Sequence, residues 1–167
     1  MSHLEYIQNE AAKNMAFHME NMDCLQRESN TALTFLYVVI AASFSGAVKL
    51  FSGGNLTALA LALSVLCVYL ACLAAYLVFK CLMARVVKSP ANEPKSLKMV
   101  DGYTSEQIQE CELENLQKRI EFNVKRNEIT ARNLNIVRVM ICAIPAVFLI
   151  ATVFFWALVA LCSGSRF

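Results

Sequence analysis

Three apolar runs, each long enough to cross a bilayer, constrain this chain more than any other feature. They cover residues 31–51, 56–83 and 139–162. About twenty apolar residues in a helix cross the roughly 30 Å hydrocarbon core of a membrane. Apolar residues make up 57% of the chain and charged residues 17%, with the charges clustered outside the runs. The sequence therefore predicts an all-α membrane protein with three transmembrane helices, an amphipathic amino-terminal helix and a long cytosolic helix continuous with the third span.

Helix breakers and charge divide the chain into six predicted segments. They are a cytosolic amphipathic helix (1–30), a two-span transmembrane hairpin (31–85), a cytosolic loop (86–103), a cytosolic helix (104–138), the third transmembrane helix (139–163) and a tail (164–167). Pro90, Pro94 and Gly102 mark the loop because they interrupt helices. The tail is too short to fold.

The amino-terminal segment has the spacing of an amphipathic helix. Apolar positions recur every three or four residues, which places them on one helical face: Leu4, Ile7, Ala11, Met15, His18, Met22 and Leu25. The other face is acidic on balance, which disfavours binding to anionic lipid. We expect the apolar face to pack on the helix after residue 104 or on a neighbouring subunit. Ser29, Asn30 and Thr31 predict a break before the first span.

Small residues mark the predicted packing faces of the hairpin. Ala42 and Gly46 form a small-xxx-small pair in the first span, which lets helices approach closely. A stripe in the second span contains Ala60, Ser64, Cys67, Ala71 and Ala75. Packing on the first span is favoured over a pore lining. The turn Ser52-Gly53-Gly54-Asn55 joins the two spans, with Asn55 as a candidate cap of the second helix.

The charged helix begins with a capping box, Thr104 with Gln107, and carries an apolar stripe. The stripe consists of Leu113, Leu116, Ile120, Val124, Asn127, Ala131 and Leu134. Leu116 and Ile120 are its candidate packing residues. Two interpretations remain open: a coiled-coil or bundle seam with Asn127 setting the register, and docking against residues 2–28.

Two residues at the start of the third span are candidates for a pore or gate. Pro145 removes one backbone hydrogen bond, so we expect a kink that acts as a hinge. Arg138 lies at the near edge of the span. It either extends to the interface or contributes to a basic ring at a channel mouth.

Basic residues predict the orientation. Lysine and arginine are concentrated between the second and third spans, whereas the opposite side has only Lys49 and Arg166 at its margins. The positive-inside rule then places the amino terminus and the long loop in the cytoplasm and the carboxyl terminus outside.

Catalytic and cofactor-binding motifs are missing from the sequence. It contains no P-loop, GxGxxG, GxSxG or HExxH pattern, and its seven cysteines match no disulfide or zinc spacing. The spans contain no acidic residue, which argues against active cation transport. A net charge of +2 does not favour binding to a nucleic acid duplex. We therefore expect no enzyme activity and no cofactor.

Two functions fit this layout. In the first, several copies assemble in the bilayer, their spans enclose a pore, and the cytosolic helices gate it. In the second, the protein is a non-conducting membrane anchor or adaptor whose cytosolic helices bind a partner protein. An ion-flux assay with the protein alone in liposomes separates the two.

The order of an amphipathic helix, a close two-span hairpin and a charged cytosolic helix over residues 1–133 resembles the SLATT class of small bacterial membrane effectors. With its third span the chain also resembles three-span effectors that are paired with a nucleotidyltransferase. This resemblance implies a homo-oligomer in the bacterial inner membrane, a cytosolic nucleotide or protein trigger, and membrane depolarisation in antiphage defence.

A nucleotide trigger is anionic, so the cations of the charged helix are its candidate contacts. Lys118, Arg119, Lys125 and Arg126 are clustered, and clustered cations attract phosphates. The alternative is a solvated helix face stabilised by ion pairs four residues apart, such as Glu114 with Lys118 and Glu121 with Lys125.

Overall fold

The computed structural model describes residues 3–53, 57–83 and 102–164, and within these ranges every regular element is helical. The elements are α1 (His3–Ser52), α2 (Ala58–Leu77) with a π-helical turn at its end (Val78–Leu82), α3 (Ser105–Cys142) and α4 (Ile144–Gly164). The predicted all-α class is confirmed. Three stretches are long and apolar enough to cross a membrane, by length and composition: Glu5–Ser52, Ala58–Leu82 and Ile144–Leu161.

Helix α1 runs without interruption through the predicted break at residues 29–31, so that prediction is wrong. Ser29 is fully buried, and Thr34 Oγ1 donates a hydrogen bond to the carbonyl oxygen of Asn30 at 3.0 Å. Short polar side chains bond to carbonyls one turn earlier as readily as they cap helices. A cluster of them therefore does not by itself end a helix.

The predicted continuity of the charged helix with the third span is also corrected. Helix α3 ends at Cys142 and α4 begins at Ile144, so Ala143 is the single residue between them. The interruption lies next to Pro145, as the sequence predicted, because proline has no backbone N–H to donate.

Two compact units make up the chain. The first, called here the charged unit, contains α1 as far as Arg27 and α3 as far as Ala131. The second, called the apolar unit, contains Glu28–Met83 together with α3 from Arg132 and all of α4.

In the described part of the charged unit, two helices run parallel. Asn123 is buried and its Nδ2 donates to Met15 Sδ at 3.5 Å, and Asn127 Nδ2 donates to the carbonyl oxygen of His18 at 2.8 Å. The two contacts advance together along both helices, which fixes the parallel direction. Met15 and Ile120 complete the buried core. The stripe on the charged helix thus docks against the amino-terminal helix of its own chain, which was one of the two alternatives.

Close packing of aliphatic side chains holds the apolar unit together. Leu36, Leu70, Leu77, Leu134 and Val137 have no more than 1% of their surface exposed. Helix α2 packs against α4, and it also contacts α1.

A small residue permits the close approach of α1 to α2. A Cβ atom added at Gly46 would lie 3.3 Å from Leu63 Cδ1, and Cys67 Sγ lies 3.9 Å from the carbonyl oxygen of Ile40. Small residues at such contacts let helix backbones come near each other in a membrane.

Side-chain caps define two helix starts. Thr104 N donates to Gln107 Oε1 at 3.1 Å and Gln107 N donates to Thr104 Oγ1 at 3.4 Å, which confirms the predicted capping box. At the start of α2, Thr57 Oγ1 accepts from Ala60 N at 3.2 Å. Thr57 therefore caps this helix in place of the predicted Asn55, which lies outside the described residues.

Candidate functional site

The strongest candidate for a moving part is the junction of α3 and α4, which we call the α3–α4 break. Ala143 N donates to the carbonyl oxygens of both Val139 and Met140, each at 3.1 Å, and Ala143 O accepts from Val147 N at 3.0 Å. Because Pro145 has no N–H, the carbonyl oxygen of Ile141, one turn earlier, receives no hydrogen bond from position 145. The hydrogen-bond ladder is thus rearranged at this point of the third span.

A tyrosine from α2 supports the α3–α4 break. Tyr69 hydroxyl donates to the carbonyl oxygen of Met140 at 2.9 Å and lies 3.5 Å from Met140 Sδ. In hydrocarbon, backbone groups released by a helix break need another partner, and neighbouring helices commonly supply it. The Tyr69 hydroxyl gives the Met140 carbonyl oxygen a second donor, beside Ala143 N, in the last turn of α3.

A second tyrosine contact lies further along the same pair of helices. Tyr76 hydroxyl and Asn133 Oδ1 are 3.3 Å apart. Tyr69 and Tyr76 are two turns apart on α2, and their partners are two turns apart on α3 in the opposite order. The two helices are therefore antiparallel, and their polar contacts form one line within the apolar unit.

Arg138 pairs with α1 inside the apolar unit. Its Nη2 lies 2.8 Å from Glu28 Oε2, and its Nη1 donates to Asn135 Oδ1 at 3.3 Å. The side chains of Arg138 and Glu28 are 52% and 43% exposed, so the pair is a solvated or interfacial one. Of the two predicted gate residues, Pro145 adjoins the α3–α4 break and Arg138 lies one helical turn before it on the chain.

The four predicted ligand-binding cations lie in the charged unit. Lys118 and Lys125 are exposed, whereas Arg119 and Arg126 are half-buried. Lys118 Nζ contacts Glu114 Oε1 at 2.6 Å, as the sequence predicted. The second expected pair is replaced, because Glu121 accepts a hydrogen bond from Gln117 Nε2 at 2.9 Å.

Ionisation of the Glu114–Lys118 pair follows from this contact. The hydrogen bond and charge of Lys118 lower the pKa of Glu114, and Glu114 in turn raises the pKa of Lys118. A carboxyl with a lowered pKa contributes its stabilisation at neutral pH and loses it as the pH falls through that pKa. Both groups face solvent, so salt screens the pair.

The predicted helix-packing residues of the hairpin differ in how deeply they are buried within one chain. Ala60 is buried, and Gly46 and Ser64 are half-buried. Ser64 Oγ donates to the Ala60 carbonyl oxygen of its own helix at 2.9 Å. Ala42 and Ala71 are exposed and lie outside the core of the apolar unit. On the charged helix, Ile120 is buried at 4% exposure and Leu116 is half-buried.

Sequence reasoning missed the polar contacts that surround the α3–α4 break. A tyrosine within an apolar run is a usable signal, because a buried phenol normally finds a hydrogen-bond partner. Tyr69 and Tyr76 share this signal, but their partners lie more than fifty residues away along the chain. Glu28 was assigned no role because it stood just before the predicted break in α1.

The chemistry available at this site is that of a structural support beside a helix break. Among the described residues, no group of three or more His, Cys, Asp or Glu side chains is placed to hold a metal ion. The six cysteines within the described side chains are free thiols.

Comparison of the chain with protein-family models, with curated proteins and with solved structures found no match.

Proposed function

We propose that this chain is an oligomeric membrane effector that forms or gates a pore and so dissipates the membrane potential. The observation that carries the proposal is the exposed apolar surface of α4, and the filled interior of the apolar unit decides where a pore would lie. Leu36, Leu70, Leu77, Leu134 and Val137 occupy the space between its helices. Ions therefore have no path through one copy at native packing density, and any pore has to lie between copies.

Helix α4 offers surface for such an assembly. Between Ile144 and Leu161 only Ala151 is buried, and side chains such as Ile150 and Trp156 are 70% and 69% exposed. The one hydroxyl of this stretch is satisfied within its own helix, since Thr152 Oγ1 donates to the carbonyl oxygen of Phe148 at 2.8 Å. The helix thus meets lipid or another copy without leaving a polar group unpaired.

The α3–α4 break is the proposed gate. A helix with an incomplete hydrogen-bond ladder bends there more easily than elsewhere, and Pro145 keeps the ladder incomplete. A trigger that binds differently to two arrangements of the charged unit would bias this bend. On the positive-inside rule the charged unit is cytosolic, in a bacterial inner membrane. Lys118, Arg119, Lys125 and Arg126 are the proposed contacts for a nucleotide trigger, in line with the resemblance to antiphage effectors.

The second candidate is a non-conducting anchor or adaptor. The observation in its favour is that the charged unit has a core of its own, built around Met15 and Asn123. A self-contained pair of cytosolic helices suits partner binding whether or not the spans conduct.

Ion flux tests the proposal. The full chain is reconstituted into potassium-loaded liposomes, and flux is recorded with and without a panel of mono-, di- and cyclic nucleotides. We expect flux in at least one condition, and Pro145→Ala should change it while membrane insertion stays intact. Asn9→Ala, an exposed substitution on α1 in the charged unit, is the control and should leave flux unchanged. Absence of flux in every condition would favour the anchor.

A further inference from the structure

The charged unit has two outer stripes that lie on opposite sides. The α1 stripe consists of Tyr6, Glu10, Lys13, Phe17, Glu20 and Cys24, and the α3 stripe consists of Cys111, Asn115, Lys118, Phe122, Lys125 and Ile129. All twelve residues are exposed. Both stripes advance in alternating steps of four and three, the period with which helices pack in a left-handed supercoil.

The stripes face away from the core of the charged unit. At about 100° per residue, the α1 stripe lies on the side of α1 opposite Met15, and the α3 stripe lies opposite Ile120 and Asn123. The core residues are buried between the two helices. Within the described residues the unit is therefore a two-helix layer with one exposed stripe on each outer side.

Large apolar side chains stand on both stripes. Tyr6 and Phe17 are 55% and 57% exposed on α1, and Phe122 and Ile129 are 42% and 43% exposed on α3. Single exposed apolar residues are ordinary, but aromatic residues aligned on one helix face are typical of a surface that another helix covers.

Charge complementarity identifies the partner. Met15 is level with Asn123 and His18 is level with Asn127, an offset of 108 or 109 residues between α1 and α3. Copies related by rotation about an axis parallel to these two helices lie at the same level. The same offset then places Glu10 of one copy level with Lys118 of the next.

Two further positions continue this match. The offset brings Lys13 level with Phe122 and Phe17 level with Lys125 of the α3 stripe. The opposite-charge pair at the first level is therefore followed by two levels at which an ammonium group meets an aromatic ring.

We propose that the α1 stripe of one copy packs on the α3 stripe of the next, so that a second copy of this chain covers each outer side of the charged unit. This contact is head-to-tail, and a head-to-tail contact that closes on itself forms a ring. The inference extends the proposed function by naming the surface that joins the copies, and it rests on that function only for the existence of an assembly.

Charge reversal with rescue tests the contact. The particle mass of the full chain is measured in detergent and in nanodiscs for Glu10→Lys, Lys118→Glu and the double variant. Each single variant places like charges at one level and should lower the association constant by about ten-fold or more. The double variant restores opposite charges and should recover the wild-type mass. Asp23→Lys makes the same charge change on α1 outside the stripe and should leave the mass unchanged.

Mixing the two single variants adds an independent arm. In an assembly that alternates Glu10→Lys and Lys118→Glu chains, each contact joins opposite charges. One kind of contact pairs the wild-type Glu10 with the wild-type Lys118, and the other pairs the two substituted positions. The mixture should therefore assemble where each variant alone does not. A symmetric contact between two α3 stripes predicts instead that Glu10→Lys alone keeps the wild-type mass.

The outcomes separate this contact from the proposed function. Wild-type mass for both single variants would overturn the stripe contact and leave the pore proposal standing. Loss of anionic-liposome binding by Lys118→Glu at unchanged mass would overturn it in favour of a lipid-binding stripe. Recovery of mass in the double variant, together with no flux from the wild type, would support the contact and refute the pore.

Discussion

Removal of the Tyr69 hydroxyl tests whether it supports the α3–α4 break. Tyr69→Phe keeps the ring and deletes the donor that lies 2.9 Å from the Met140 carbonyl oxygen. A net hydrogen bond contributes about 0.5–1.5 kcal/mol in soluble proteins and averages about 0.6 kcal/mol between membrane helices. Ala143 N also donates to this oxygen, so the lower figure applies. We expect Tyr69→Phe to lower the free energy of unfolding by about 0.6 kcal/mol.

A double-mutant cycle with Pro145→Ala shows whether the hydroxyl serves the break itself. Alanine restores the N–H at position 145, which can donate to the carbonyl oxygen of Ile141 and let the helix continue. In a continuous helix the Ile144 N–H then supplies the Met140 carbonyl with a donor from its own helix. Tyr69→Phe should then have almost no effect, which gives a coupling of about 0.5 kcal/mol. The measurement is unfolding of the full chain in mixed detergent micelles, followed by circular dichroism.

Tyr76→Phe is the matched control for this cycle. Its hydroxyl contacts the side chain of Asn133 and no backbone group at the α3–α4 break. We expect no coupling between Tyr76→Phe and Pro145→Ala. An equal effect of Tyr69→Phe in the wild-type and Pro145→Ala backgrounds would refute the reasoning, because the hydroxyl would then be independent of the break.

Three further predictions concern packing and charge. Met15 is 1% exposed, so Met15→Ala should lower the free energy of unfolding by about 2–5 kcal/mol, and Met15→Leu by less than about 1.5 kcal/mol, measured by denaturant titration. A Cβ atom at Gly46 would meet only the flexible end of Leu63 at 3.3 Å, so Gly46→Ala should fold with a small loss of stability. Gly46→Leu should lower the midpoint of thermal unfolding by an amount equivalent to about 1–3 kcal/mol. The Glu28–Arg138 pair is about half exposed, so Glu28→Gln should lower stability by about 0.2–1 kcal/mol, and the difference should shrink in high salt. Salt independence of that difference would show that the pair is shielded from solvent.

Local sequence patterns predicted the features that depend on near neighbours along the chain. Hydropathy and length identified the three candidate spans, because burying apolar surface is the dominant favourable term for such segments. The amphipathic pattern of the amino-terminal helix is confirmed, with Met15 buried and Glu10 and Glu20 exposed. The capping box at Thr104 is local in the same sense, since its two partners are one helical turn apart.

Features that depend on distant residues were not predictable in this way. The uninterrupted α1 was missed because Ser29 is buried in the fold, and this burial does not follow from its neighbours along the sequence. The contacts of Tyr69 and Arg138 join residues 71 and 110 positions apart. Their residue types signalled a need for partners, and only the packing of the helices identifies those partners.

Leakage as a function of copy number tests the central claim, that ions pass between copies and not through one. The full chain is reconstituted at mean loadings from below one to about twenty copies per vesicle, under the condition that gives flux in bulk. The account predicts no leakage from vesicles that hold a single copy and a steep rise once several copies share a vesicle. Leakage from single-copy vesicles, or leakage proportional to copy number from the start, would contradict it.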